Sequence, residues 1–343
     1  MRELRDPDFR ERYFVNKCKD LLDAEVKETE FIDIGLLNFV YRVGTDKGDV
    51  YFKQALEQVK YPEKVGNDLQ SLPPQRIESE KNALLSLENI MPQEIRIPKV
   101  FSYDSLNNIL ITSDVKGDGG VLLQEALLKG DFKKDVAGNI GLFLGISHKH
   151  TYGKRNNIRK KKEDRENWEL MLNARTTGIK VKDEKVLGEL RRLYDSANTR
   201  HKYNVLINAD CCPKNIFQRP NAGIGIVDFE TASGIGDPAY DIGLATGHYL
   251  LFALLNGNNN ITESAIESIA KGYLDEITSL GLEGIERRMV KYAGATILYR
   301  IAGSSPAPFI PKEKIPELIK KGSGIVMGNY KNILETFPVL RKK

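Results

Sequence analysis

The chain has 343 residues, with 51 Lys and Arg against 47 Asp and Glu and a net charge of +4, a balance that does not point to a nucleic-acid binder although it suits a protein that handles nucleotide phosphates. An apolar content of 41% supplies the core of two domains or one bilobal unit. The three cysteines, two of them adjacent, cannot form a secreted disulfide framework, the charged opening Met1–Asp8 has no apolar leader, and the longest apolar run, Tyr249–Leu255, is too short to cross a bilayer. These features lead to the expectation of a cytoplasmic protein with neither membrane nor nucleic-acid partner; they leave its oligomeric state open.

Residues 6–28 read as a charged opening helix with Phe14, Cys18, Leu21 and Leu22 at helical spacing. Two β-rich runs follow, Phe31–Gly35 and Asn38–Val43, then a hairpin turn over Thr45–Gly48 and a strand Val50–Lys53. A proline-bearing loop, Tyr61–Pro74, leads into a helix Arg76–Leu87 whose buried side is Ile77, Ala83, Leu84 and Leu87. Strands near Lys99–Tyr103 and Ile109–Thr112 complete an antiparallel sheet with one helix inserted after its third strand. Beyond the linker Lys116–Gly120 helical periodicity dominates, with helices expected over Val121–Leu128, Asp135–His148, Asn167–Leu172 and Asp183–Ser196, and long helices from Asp241 onward. The basic run Lys154–Lys162 reads as a solvated loop, because no aromatic residue is interleaved in it. The fold class is therefore α+β, divided into residues 1–114 and 115–343.

One stretch interrupts the helices, and it carries the chemistry. An apolar strand, Val205-Leu206-Ile207, runs into Asp210; Pro213 and Asn215 complete the pattern D-x-x-P-x-N; and a second strand, Gly225–Glu230, contains the carboxylates of Asp228 and Glu230. A single Asp after a strand is ordinarily a turn residue. Together these residues match what phosphoryl transfer from ATP needs: one carboxylate at the attacking hydroxyl, and an amide oxygen and a second carboxylate to hold Mg2+ against the phosphates.

D-x-x-P-x-N, then Ile226-Val227-Asp228-Phe229-Glu230, then Gly236-Asp237-Pro238-Ala239-Tyr240-Asp241 resembles the aminoglycoside phosphotransferase and choline kinase superfamily. Its fold is protein-kinase-like, with a small antiparallel-sheet N-lobe and a larger helical C-lobe. Gly35–Val43 followed by Phe52-Lys53-Gln54 is similar to the methylthioribose kinases. The resemblance implies ATP and Mg2+ as cofactors and a small-molecule hydroxyl as acceptor, with a methylthioribose-like sugar first and an aminoglycoside or amino-alcohol second. It implies Asp210 as the proton acceptor, Asn215 and Asp228 as magnesium ligands, and Lys53 on the α- and β-phosphates with Glu80, rather than Glu78, as its partner. ATP would also meet the backbone from Gly35 to Asn38, and its adenine the hinge Thr112–Lys116, including Asp114. Glu230 reads equally as a metal assistant or a strand-end cap. Asp237 and Asp241 would brace the loop of Asp210. His248 and Arg300 are candidate acceptor contacts, Arg300 reading a carboxylate or hydroxyl or else pairing with an acid.

Two departures from the family pattern stand out. Asn208 occupies the place of a usual His, and the phosphate loop has Gly35 where protein kinases have several glycines. They motivate a second class of reading, a nucleotide-binding pseudokinase, against which Lys53, Asp210, Asn215 and Asp228 are all retained. Cys211 and Cys212 lack the further ligands of a zinc site and read as filling residues; His148 and His150 read as structural and Trp168 as core or cleft wall.

Overall fold

A computed structural model of the chain describes residues 1–33, 35, 37–61, 63, 72–153, 162–199, 205–257, 259–304 and 306–341. Residues 154–161 of the basic run lie outside the described residues, as do Ile34, Leu36, and 62 and 64–71 of the proline-bearing loop.

Helix α1 (Pro7–Leu22) begins where Pro7 fixes the first turn and the Asp6 carboxylate accepts from the Asp8 and Phe9 amides. It ends earlier than its periodicity predicts. Asp23 turns left-handed (φ 50°) and returns its N–H to the Cys18 and Lys19 carbonyls. The residues that follow form strand β1 (Val26–Ile32), because β2 (Phe39–Thr45) offers them an antiparallel ladder from Val26↔Thr45 to Ile32↔Val40. Strand β3 (Gly48–Gln54) folds back on β2, α2 (Arg76–Leu87) follows, and β5 (Val100–Asp104) and β6 (Ile109–Ser113) close a five-stranded sheet of order β1-β2-β3-β6-β5. The helix inserted after the third strand is as the sequence predicts. One face of the sheet packs Phe52, Val43 and Ile111 under Leu4, Phe14 and Cys18 of the N-terminal segment.

A second, smaller sheet has the order β4-β9-β8-β7, from β4 (Ile95–Arg96), β9 (Ile224–Ile226), β8 (Ile216–Gln218) and β7 (Val121–Leu122). Val121 and Leu122, expected in a helix, pair instead with Gln218 and Phe217, and helix α3 starts only at Leu123 (Leu123–Leu128). Strand β9 is also shorter than predicted: Asp228 lies two residues past its end with φ 69°. Val205–Ile207 is no strand either, since only Ile207 bridges, exchanging both backbone bonds with Ser233 at 2.8 Å.

The helices α4 (Lys134–Thr151), α5 (Lys162–Ala174), α6 (Glu184–Thr199), α7 (Pro238–Asn256), α8 (Asn260–Ile277), α9 (Ile285–Ala302), α10 (Ile315–Met327) and α11 (Phe337–Arg341) build the larger lobe. Helix α7 is buried from Pro238 to Ala253. It is the axis around which the lobe packs, and its first turn lies under the Asp210 loop. Helices α4 and α8 approach so closely that a Cβ on Gly141 would strike the Ile269 carbonyl. The main core is continuous from Ile77, Leu84 and Leu87 of α2 into these helices. Among the described residues, no helix is long and apolar enough to cross a membrane. The fold is α+β, an antiparallel-sheet N-lobe on a helical C-lobe, as expected.

Candidate active site between the sheet and the helices

The loop bearing Asp210 is fixed from below by one carboxylate. Asp241, fully buried in the first turn of α7, accepts the amides of Asn208 (2.7 Å) and Ala209 (2.9 Å). Ala209 takes φ 63°, a left-handed conformation costly for a residue with a Cβ, and this pair of charge-assisted bonds holds it there. His148 sits 3.2 Å from the same carboxylate and 2.9 Å from the Tyr273 hydroxyl, so it serves the brace, as its structural reading anticipated. Asn208 accepts the Asp210 amide on its side-chain oxygen at 3.0 Å, an amide supporting the loop in the place where the family usually has His. Asp237 does not join this brace. Its carboxylate caps α7 through the Ala239 amide (3.1 Å) and is gripped by Arg288 of α9 at 2.7 and 3.1 Å. Sequence spacing pairs Asp237 with Asp241, but four residues along one helix start separate a cap from an inward-facing position.

Both oxygens of Asp210 are engaged. Oδ1 accepts from the Arg175 guanidinium; Oδ2 accepts from the Asn215 amide (2.9 Å) and faces Lys214 Nζ at 3.0 Å. Burial alone would raise this carboxyl, but Lys214 and Arg175 outweigh it and hold it well below the usual carboxylate range, so Asp210 is ionised. Arg175 follows the last residue of α5. It is buried, also donates to the Ala209 carbonyl and the Tyr240 hydroxyl, and lies 5.7 and 5.6 Å from the Tyr240 and Tyr299 ring centres. The other side of the site is Arg300, 5.9 Å from the Tyr299 ring it shares with Arg175, and buried His248, whose imidazole is kept neutral first by burial and then by Arg300 and Arg175. Trp168, edge-on to Tyr240 at 5.0 Å, is core. Cys211 and Cys212 are buried free thiols; burial pushes both up, Cys212 to about 12.

Lys53, Glu80 and Asp228 meet from three separate elements. Lys53 Nζ lies 2.7 Å from Glu80 Oε2 and 2.6 Å from Asp228 Oδ1, and Glu80 Oε1 accepts the Phe229 amide at 3.4 Å. Glu78 turns away to Lys81. Burial pulls the ammonium of Lys53 down, but Asp228, Glu80 and Glu230 together raise it above the ordinary lysine range. Burial pushes Glu80 up to about 7 against the pull of Lys53, with Asp228 and Glu230 adding to the rise. Glu230 is 4.0 Å from Lys53, but its carboxylate accepts from the Asn38 amide and lies 3.5 Å from Arg76 Nε. It therefore supports the N-lobe rather than capping a strand.

The side chains of Asn38 and Asp114, two positions where nucleotide contacts are expected, are engaged within the protein. The Asn38 side chain is buried between Glu230 and Arg76, which donates to its oxygen at 2.7 and 3.1 Å, so it faces inward and not toward an open cleft. The Asp114 carboxylate closes the linker turn on the Gly117 amide at 2.6 Å. Thr112 is buried in β6 opposite Tyr51, while Gly35 is exposed with φ 87°. Val115 packs against β9 so tightly that a Cβ on Gly225 would strike its carbonyl.

Arg175, Lys214 and Arg76 were not singled out by the sequence reading. Lys214 occupies a wildcard position of D-x-x-P-x-N. Arg175 stands 35 residues before Asp210 with no motif around it.

Magnesium fits the donor set. Asn215 commits its nitrogen to Asp210 and keeps its oxygen, and Asp228 keeps a second oxygen beside the one facing Lys53. Hard oxygen donors from only one or two residues suit a cation that takes its other ligands from phosphates and water. No cluster of three His, Cys, Asp or Glu able to hold a metal exists among the described residues.

A two-lobed fold with this arrangement at its junction is of the small-molecule kinase type. The model of the phosphotransferase enzyme family (APH) matches residues 28–281, and the chain belongs to that family; it is a small-molecule phosphotransferase. Among solved structures, a choline/ethanolamine kinase family protein from Mesorhizobium loti is similar over 99% of both chains with a TM-score of 0.53 at 13% identity. A choline kinase from Streptococcus pneumoniae aligns over 92% of this chain and 98% of its own with a TM-score of 0.49 at 15% identity. A spectinomycin phosphotransferase in complex with ADP and spectinomycin aligns over 96% and 98% with a TM-score of 0.48 at 13% identity. A search of curated proteins returned no match.

Proposed function

We propose that this phosphotransferase is an ATP-dependent kinase that transfers the γ-phosphoryl group to a hydroxyl of a small molecule. The observation that supports it best is the convergence of Lys53, Glu80 and Asp228 within salt-bridge distance, beside an Asp210 bonded to Asn215. In this reading residues 1–114 form the nucleotide lobe and 115–343 the lobe carrying the reaction. Lys53, fixed by Glu80, neutralises phosphate charge. Asn215 and Asp228 would hold magnesium, which supplies charge neutralisation and in-line orientation of the phosphates. Asp210, already ionised, orients the acceptor hydroxyl and receives its proton as that oxygen attacks. The driving terms are positioning and electrostatics.

Of the acceptors considered, an aminoglycoside or a choline-type amino-alcohol fits poorly, because Arg175, Lys214 and Arg300 make the surroundings of Asp210 cationic. A methylthioribose-like sugar is uncharged and meets no such repulsion. The pseudokinase reading is weakened by the presence of Lys53, Asp210, Asn215 and Asp228 together at one site. The buried free thiols of Cys18, Cys211 and Cys212 support a reducing, cytoplasmic setting. The test is a phosphorylation screen with ATP and Mg2+ over sugars, amino-alcohols and hydroxy acids, run beside Lys53→Ala. Acceptor-dependent ADP release that collapses in the variant supports a kinase; tight nucleotide binding with no acceptor-dependent turnover supports the sensor.

A further inference from the structure

The side chains around Asp210 carry more positive charge than the transfer of a phosphoryl group to a neutral sugar requires. Two cations contact one carboxylate, and a third lies beyond them. Lys214 Nζ is 3.0 Å from it, Arg175 donates to it, and Arg300 shares the Tyr299 ring with Arg175 at 5.9 and 5.6 Å. Of the remaining neighbours, Asp241 turns its carboxylate to the Asn208 and Ala209 amides below the loop, His248 is kept neutral and Cys212 is a thiol. Asp228 is engaged by Lys53. Arg175 is 7% exposed and its Nε has no hydrogen-bond partner among the described residues, so a buried guanidinium keeps an unused donor. A buried cation with an open donor is costly unless something fills it.

From this we infer that the acceptor carries an anionic group, a carboxylate or a phosphate, close to the hydroxyl that is phosphorylated. The inference rests on the kinase reading and narrows its substrate. Hydrogen bonds of about 2.7–3.0 Å, donated by the hydroxyl to Asp210 and by Arg175 to the anion, leave the two groups only a few bonds apart. The arrangement also couples binding to readiness. Arg175 and Lys214 engage the oxygens that the hydroxyl needs. An anion competes for those cations and releases Asp210 toward the hydroxyl beside it. No bond is made or broken in that step.

The experiment compares isosteric probes in one assay with ATP and Mg2+: glycerol, glycerate, glycerol 3-phosphate and choline, each followed by phosphoryl transfer and by binding to the protein loaded with a non-hydrolysable ATP analogue. The expected result is a preference on the order of tenfold or more for glycerate or glycerol 3-phosphate over glycerol. Which of the two anions leads identifies the carboxylate or the phosphate as the natural group. Lys214→Gln, at a half-exposed side chain, is expected to lower the preference, and Arg175→Lys to keep part of it. Equal or better use of glycerol or choline overturns the inference, as does the absence of any response to the anions in both transfer and binding. The kinase reading fails separately, through loss of nucleotide turnover with every acceptor.

Discussion

Replacing Asp241 by Asn isolates the brace beneath the Asp210 loop. The buried carboxylate accepts two backbone amides at 2.7 and 2.9 Å and faces His148. The isosteric amide keeps one oxygen and turns an NH2 toward a donor. One charge-assisted bond, worth about 1.5–3 kcal/mol, is lost and one buried N–H is left unpaired at a further cost of about 1–3 kcal/mol. The expected destabilisation is about 3–5 kcal/mol, within the 5–15 kcal/mol a domain of this kind holds, so the variant folds. Released from its anchor, Ala209 relaxes from φ 63° and Asp210 shifts with it. A displacement of about 1 Å at a reacting group costs on the order of a hundredfold in rate. Urea unfolding reports the first effect as a lower midpoint at unchanged slope, and steady-state kinetics with the best acceptor report the second as a fall in kcat at near-constant KM for ATP. Asp237→Asn is the control: it weakens the Arg288 pair and costs comparable stability, with kcat within a few-fold. A wild-type kcat in Asp241→Asn, or an equal loss in both variants, refutes the assignment of Asp241 to the loop and Asp237 to the helix.

Asp210→Asn is expected to lower phosphoryl transfer by at least about a thousandfold with ATP affinity within a few-fold, because the lost carboxylate is the proton acceptor while Lys53 and Asp228 are untouched; unchanged turnover removes it from that role. Glu80, raised to about 7 by burial with Asp228 and Glu230, keeps in the folded chain a proton that the unfolded chain has released above about 4.5. Stability of the ligand-free protein therefore falls by about 3 kcal/mol between pH 4.5 and 7, and urea unfolding of Glu80→Gln should lack that slope; an identical slope in the variant contradicts the cause. Gly225→Ala forces a methyl into the Val115 backbone, which cannot rotate aside as a side chain would, so a loss of about 1–3 kcal/mol and weaker ADP binding are expected from thermal unfolding and calorimetry. A neutral effect on both would show that the linker yields.

The parts of the site legible in the sequence are those whose spacing is local. Asp210 and Asn215 lie on one loop, Asp228 directly follows a strand, and Glu80 faces Lys53 because α2 must follow β3 with its apolar side inward. Arg175 was illegible for the opposite reason: its partners, Asp210, Ala209 and Tyr240, come from another loop and another helix, and only packing brings them together. The side-chain partners of Asn38 were illegible too, because nothing nearby in sequence foretells a buried Arg76 and Glu230. Strand boundaries failed where pairing partners are remote. The first residues of β1, Val26–Glu28, are mostly charged and largely exposed, so they passed for the end of a helix until β2 supplied the ladder.

The full occupancy of Asp210 bears on how the protein conserves ATP. A kinase waiting with nucleotide bound is always at risk of handing its phosphoryl group to water, which is present at enormous excess over any metabolite. On the proposed reading, Arg175, Lys214 and Asn215 already engage both oxygens of Asp210, so a water molecule would compete with them before the carboxylate could take its proton. On that reading the cations around Asp210 would act as a safety catch, holding back idle hydrolysis until a true acceptor lifts it.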